Sequence, residues 1–153
     1  MPISTAPERP KDGGDGAIGR SRGGLSTKIH ATVDALGNPT GFALAPRQAH
    51  DLEGADALLP DLAAGVPIAD KALDAEARVI EPRAQAGKTA VIPPKANRKN
   101  LRPYDRDLSK ARHLIENFFA KLKQYRAIAT RHDKRATYFL AAVHLASVVI
   151  WLN

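Results

Sequence analysis

The sequence predicts an α/β domain, a mixed sheet covered by helices, and three observations predict it. Residues 25–45 alternate apolar and polar side chains about a turn, as a half-buried hairpin does. Two short apolar runs, 67–69 and 89–92, are separated by a stretch of helical composition, as in a strand, helix, strand unit. The last third of the chain repeats its apolar residues at helical spacing.

Taken in order, residues 1–24 are rich in Gly, Pro, Ser and charge without periodicity and are expected to form a flexible basic tail. Leu25, Thr27, Ile29, Ala31 and Val33 then alternate with Ser26, Lys28, His30 and Thr32, so one strand is expected there. Gly37-Asn38-Pro39 supplies the turn into a second strand over 40–45. Asp51 reads as the N-cap of a helix reaching about residue 64. A short strand over 67–69 ends at Asp70, and residues 73–86 are helical in composition. A strand over 89–92 is stopped by Pro93-Pro94. A basic loop with Lys95, Arg98, Lys99, Arg102 and Arg106 leads into a long helix, about 107–130, and a last helix covers about 134–152. Residues 1–24 thus form a tail and 25–153 one domain.

Composition narrows the partners. The 153 residues carry a formal charge of +7, which favours a polyanion, with nucleic acid first. With no cysteine in the chain, disulfides and thiolate metal sites are excluded. The most apolar run, 138–152, is interrupted by His144 and Ser147 and falls short of the ~20 apolar residues of a membrane span, so a packed terminal helix is expected and no membrane.

The chemistry concentrates on the long helix. At 100° per residue Arg112, Glu116 and Lys123 point within about 40° of one another, while Ile115, Phe118, Phe119 and Leu122 gather on a different arc. A carboxylate held on a packed helix between cations suits metal-assisted phosphodiester chemistry, because the metal requires oxygen ligands and the phosphate requires positive charge. Asp70 joins it as a candidate because ligands collect beyond the carboxyl ends of strands in open α/β sheets.

Several segments together resemble the catalytic region of bacterial DDE-type insertion-sequence transposases, close to the insertion-sequence 5 group. They are Gly19-Arg20-Ser21-Arg22-Gly23-Gly24-Leu25-Ser26-Thr27-Lys28-Ile29-His30, Gln48-Ala49-His50-Asp51, Ile68-Ala69-Asp70-Lys71, Ile92-Pro93-Pro94, and Arg112, Glu116 and Lys123 in Arg-x3-Glu-x6-Lys spacing. The resemblance implies an RNase H-like fold, with Asp70 as the second and Glu116 as the third carboxylate of a triad that holds two divalent ions, usually Mg²⁺. It implies metal-dependent cleavage and strand transfer of insertion-element DNA in a bacterial cytoplasm. The implied partners are double-stranded DNA at element ends and target, with a second copy of the chain or an upstream-frame portion of the transposase as protein partner. Arg112 and Lys123 are the signature cations. Arg20, Arg22, Lys28, Lys95, Arg98 and Lys99 are expected to meet DNA phosphates, so that charge reversal at Arg98 and Lys99 weakens binding and flattens its salt dependence.

The chain departs from that pattern in three places. No apolar strand ending in Asp is read between Met1 and Gly24, and Asp12, Asp15 and Asp34 are assigned no role, so the fold is expected to lack its first, central strand and the triad its first carboxylate. Loss of that strand should leave unpaired backbone and a marginal domain. Ser109 stands where the signature has Tyr, and Ala72-Leu73 where Gly-Tyr is usual. A two-frame transposase read from its second frame, or a remnant, would both give such a chain. The alternative function is a catalytically inactive DNA-binding transposase fragment, and a third is a small basic RNA-binding protein. Metal-dependent nicking, then preference for terminal inverted repeats over RNA, separates them.

The same residues also have plainer roles. Glu116 can simply pair with Arg112 one turn away, Asp70 can cap the next helix, and His50-Asp51 can form a turn and cap. Phe118-Phe119 reads as core, and His144 as a core or interface histidine.

Overall fold

The computed structural model describes residues 17–21, 24–99, 102–130 and 135–153. Expectations for residues 1–16, Arg22 and Lys134 lie outside that set.

The hairpin forms where the alternation places it. Strand β2 (Gly24–Val33) pairs antiparallel with β3 (Pro39–Pro46), in register from Thr27 opposite Pro46 to Val33 opposite Pro39, with an irregularity between Thr32 and Val33. Asp34 builds the turn: its Oδ1 accepts the amides of Leu36 at 2.8 Å and Asn38 at 2.9 Å, and Gly37 supplies a φ of 87°. The Asn38 amide, first among these donors, holds the Asp34 carboxyl below its usual range. The sheet also begins earlier than the periodicity suggests, because β1 (Gly19–Ser21) pairs antiparallel with the start of β2, Gly19 opposite Ser26.

The alternation sorts the hairpin's two faces. Ile29, Ala31 and Val33 with Phe42 and Leu44 lie against a core of Phe118, Leu122, Ile128, Phe139, Val143 and Ala146. The opposite face meets α1 (Asp51–Leu58), where Gly54 lies so close to the His30 ring that a Cβ would collide with it. A mid-helix glycine therefore has a packing reason. Helix α1 is capped by His50, one residue earlier than expected, and Leu59-Pro60 stops it well short of residue 64. Its inner residues Leu52 and Ala55 join Val79 and Ile92 in a second core.

That second core holds the strand, helix, strand segment. Ile68 and Val91 form a single parallel bridge, extended by Ala69 donating to the Val91 carbonyl at 3.1 Å, rather than two full strands. The helical stretch between them is broken three ways: a 3-10 turn over Lys71–Leu73, a π turn over Glu76–Ile80, and α2 (Glu81–Gln85). Pro82 explains the last break, since it lacks an amide and is tolerated only at a helix start.

The expected helix over 107–130 is likewise three helices: α3 (Arg106–Lys110), α4 (His113–Leu122) and α5 (Arg126–Ala129). Extended backbone at Tyr125 (φ −81°, ψ 108°) turns the chain back so that Ile128 enters the same core as Leu122. Packing thus overrides helical composition. The last helix, α6 (Ala136–Leu152), buries Phe139, Val143, Ala146 and Ser147, and His144 stands edge-on to Phe42 with ring centroids 5.0 Å apart. Among the described residues no helix is long and apolar enough to cross a membrane.

Candidate active site

Asp70 leaves the Ile68–Val91 bridge and caps the following turn, its Oδ1 accepting the Ala72 amide at 3.0 Å. Its second oxygen is turned elsewhere. Arg112, the residue capping α4, places Nη1 3.3 Å from Asp70 Oδ2 and Nη2 3.6 Å from Glu116 Oε1. One guanidinium therefore brackets two carboxylates that come from different elements. The site is open to solvent, with Asp70 and Glu116 side chains 54% and 66% exposed and Arg112 31% exposed. Lys123 caps the far end of α4 and is exposed.

The remaining cations divide by what they touch. Lys28 donates to the Ala49 carbonyl at 2.7 Å and pairs with Asp51 at 2.8 Å, tying β2 to the start of α1. That ammonium, through its hydrogen bond first, keeps the Asp51 carboxyl low. Arg98 pairs with Asp74, while Lys99 is exposed on the same loop. Lys95 presents its backbone amide to Asp74 at 2.8 Å and keeps a half-buried side chain. Arg20 is a strand residue opposite Leu25.

Asp74 itself was not singled out by the sequence. Its side chain is 1% exposed, and besides Lys95 and Arg98 it faces Arg102 at 3.6 Å. It fastens the basic loop to the turn that Asp70 caps. The available signal was an acidic residue just after apolar Leu73, followed by a loop with surplus cations, but sequence alone does not pair the two.

His30 lies against Gly54 of α1, with its Nε2 buried and meeting no hydrogen-bond partner among the described residues. Burial lowers its pKa from the usual 6.5, with Lys28 acting in the same sense and Asp51 and Glu53 opposing. A histidine with a lowered folded pKa contributes stability that is present above its unfolded pKa and is lost as pH falls through the folded value. Urea unfolding should therefore show the chain losing stability across a window that opens as pH falls below about 6.5, and His30→Gln should flatten that slope. Asp51 titrates below this window. An equal slope in the variant would assign the change to another group.

The donor chemistry suits a hard divalent cation, since Asp70 Oδ2 and the Glu116 carboxylate offer oxygen and Mg²⁺ accepts one or two carboxylates beside water and phosphate oxygens. Among the described residues no group of three His, Cys, Asp or Glu side chains gathers.

An α/β domain with an Asp just past a parallel bridge and a helical Glu, both facing one Arg, belongs among candidates for phosphodiester chemistry. The sequence comparison makes the class specific: the transposase DDE domain model matches residues 3–151, and the chain belongs to that family, whose work is DNA transposition and whose members generally use divalent metal ions. The chain is also 41% identical over 130 residues to a Brucella ovis protein described as "Putative transposase for insertion sequence element IS6501", covering 84% of this chain and 100% of the relative. No solved structure matches.

Proposed function

We propose that this chain acts on insertion-element DNA of the insertion-sequence 5 kind, cutting phosphodiester bonds at element ends and joining them to target DNA. The single observation that carries the reading is the Arg112 guanidinium set between Asp70 and Glu116. Asp70 and Glu116 would hold Mg²⁺, with two ions in a complete site. A bound divalent ion supplies activation of the attacking oxygen and stabilisation of the leaving one.

The chain's own residues do the rest. Asp70 is fixed by its cap on the turn after the bridge, and Glu116 by a helix whose opposite side is buried through Phe118 and Leu122. Arg112 offers a planar fork suited to phosphate, and exposed Lys123 and Lys99 add backbone affinity that falls with salt. Because Arg98 is engaged with Asp74, the expected effect of charge reversal on DNA binding belongs to Lys99 first. The antiparallel hairpin, followed by a parallel bridge across a helical connection, supports the RNase H-like reading.

The absence of a third gathered carboxylate among the described residues favours one second reading, a DNA-binding transposase domain that does not cut. Incubating the chain with labelled element-end duplexes and Mg²⁺ separates the two. Nicking that disappears in Asp70→Asn and Glu116→Gln, with DNA binding retained, supports the cleavage reading. End-specific binding without nicking supports the second, and nicking indifferent to both substitutions overturns the residue assignment.

A further inference from the structure

Arg112 is held too loosely to be a permanent partner of the carboxylates. Its two contacts, at 3.3 and 3.6 Å, are longer than the 2.7–3.2 Å of good N–H···O bonds, and they are split between two carboxylates instead of forming one bidentate pair. Both acids are more than half exposed, so each ion pair is weak and screened by salt. Asp70 spends Oδ1 on the Ala72 amide and leaves only Oδ2 facing the guanidinium. Two negative charges face one positive charge there, so Arg112 leaves the pair with one negative charge uncompensated, whereas a dication in its place neutralises both.

We infer that Arg112 is the exchangeable counter-cation of the Asp70–Glu116 pair: it keeps the two carboxylates together until a divalent cation takes its place, and the displaced guanidinium is then free for a DNA phosphate. This rests on the reading of Asp70 and Glu116 as the metal ligands. Arg112 is accordingly a positioning residue for the carboxylates before it is a phosphate contact. Metal loading and phosphate capture become coupled, because the same movement that vacates the carboxylates presents the fork.

Mn²⁺ titrated alone against the full chain, with free Mn²⁺ read by electron paramagnetic resonance at low salt, tests this without reference to cutting. Removing the competitor in Arg112→Gln should tighten Mn²⁺ binding about tenfold. Lys121→Gln, which removes an equal charge from an exposed position on the same helix, should leave it unchanged. In the unaltered chain the Arg112 side-chain Nε signal should shift as Mg²⁺ saturates, which covers an Arg112 variant that does not fold. Equal or weaker Mn²⁺ binding in a folded Arg112→Gln, or a stationary Nε signal under saturating Mg²⁺, overturns the exchange while leaving the ligands in place. If Asp70→Asn and Glu116→Gln bind Mn²⁺ as well as the parent chain, or no chain binds it, the ligand reading itself falls and the exchange with it.

Discussion

Replacing Asp74 with alanine should lower stability by about 3–5 kcal/mol, the range for removing one partner from a buried charge cluster. The carboxylate is 1% exposed, accepts the Lys95 amide at 2.8 Å, and faces the guanidinium groups of Arg98 and Arg102, which are only 21% and 25% exposed. Truncation leaves two partly buried cations and one backbone amide around an empty space. Most of the loss comes from the weaker compensation of these partly buried groups rather than from the net worth of the pairs, since buried ion pairs are themselves nearly balanced by desolvation. Asp74→Asn preserves shape and can still accept the Lys95 amide, so it should cost less, about 1–3 kcal/mol. Urea unfolding gives both values as shifts in midpoint at constant slope. A trypsin time course adds the local view, because cleavage at Lys95, Arg98 and Lys99 should quicken in Asp74→Ala before the rest of the chain opens. An alanine variant that melts with the parent and resists trypsin equally would mean the loop is held by other contacts.

This cluster also shows where reading a sequence stops. The hairpin was legible because period two is a local property: Ile29, Ala31 and Val33 face one way whatever lies beyond them, and the Asp34 to Asn38 turn is built from its own side chains. Helix α6 was legible for a similar reason, its apolar density over a long run without Gly or Pro. The break at Tyr125 was not, because residues 107–130 are helical in composition throughout and only the demand that both Leu122 and Ile128 enter one core turns the chain there. The site divides on the same line. Arg112 and Glu116 meet at i and i+4, which helix geometry supplies, and Asp70 was found because it ends an apolar run. That Arg112 also reaches Asp70, that Arg98 pairs with Asp74 and that Lys28 pairs with Asp51 are long-range facts, which neither helix periodicity nor local charge density contains.

The second large effect is expected at Phe118. Its ring is 2% exposed, 5.8 Å from the Phe42 ring on the hairpin and 5.6 Å from Phe119, and it shares a core with Leu122, Phe139 and Val143. Phe118→Ala should therefore cost about 3–5 kcal/mol, combining lost burial with a cavity that the sheet on one side and α6 on the other fill only in part. Phe118→Leu should cost distinctly less, because most of the apolar volume stays. The consequence reaches the site, since Phe118 seats the helix that carries Glu116 two residues away. Loosening that seat should lengthen the distance from Glu116 to Asp70, so divalent-ion binding should weaken in Phe118→Ala even at temperatures where the variant remains folded. Thermal unfolding followed by far-ultraviolet circular dichroism supplies the stability change, and Mn²⁺ titration well below the midpoint supplies the second. Full stability loss with unaltered ion binding would show that Glu116 is positioned by Arg112 and the first turn of α4 alone, independently of the core beneath it.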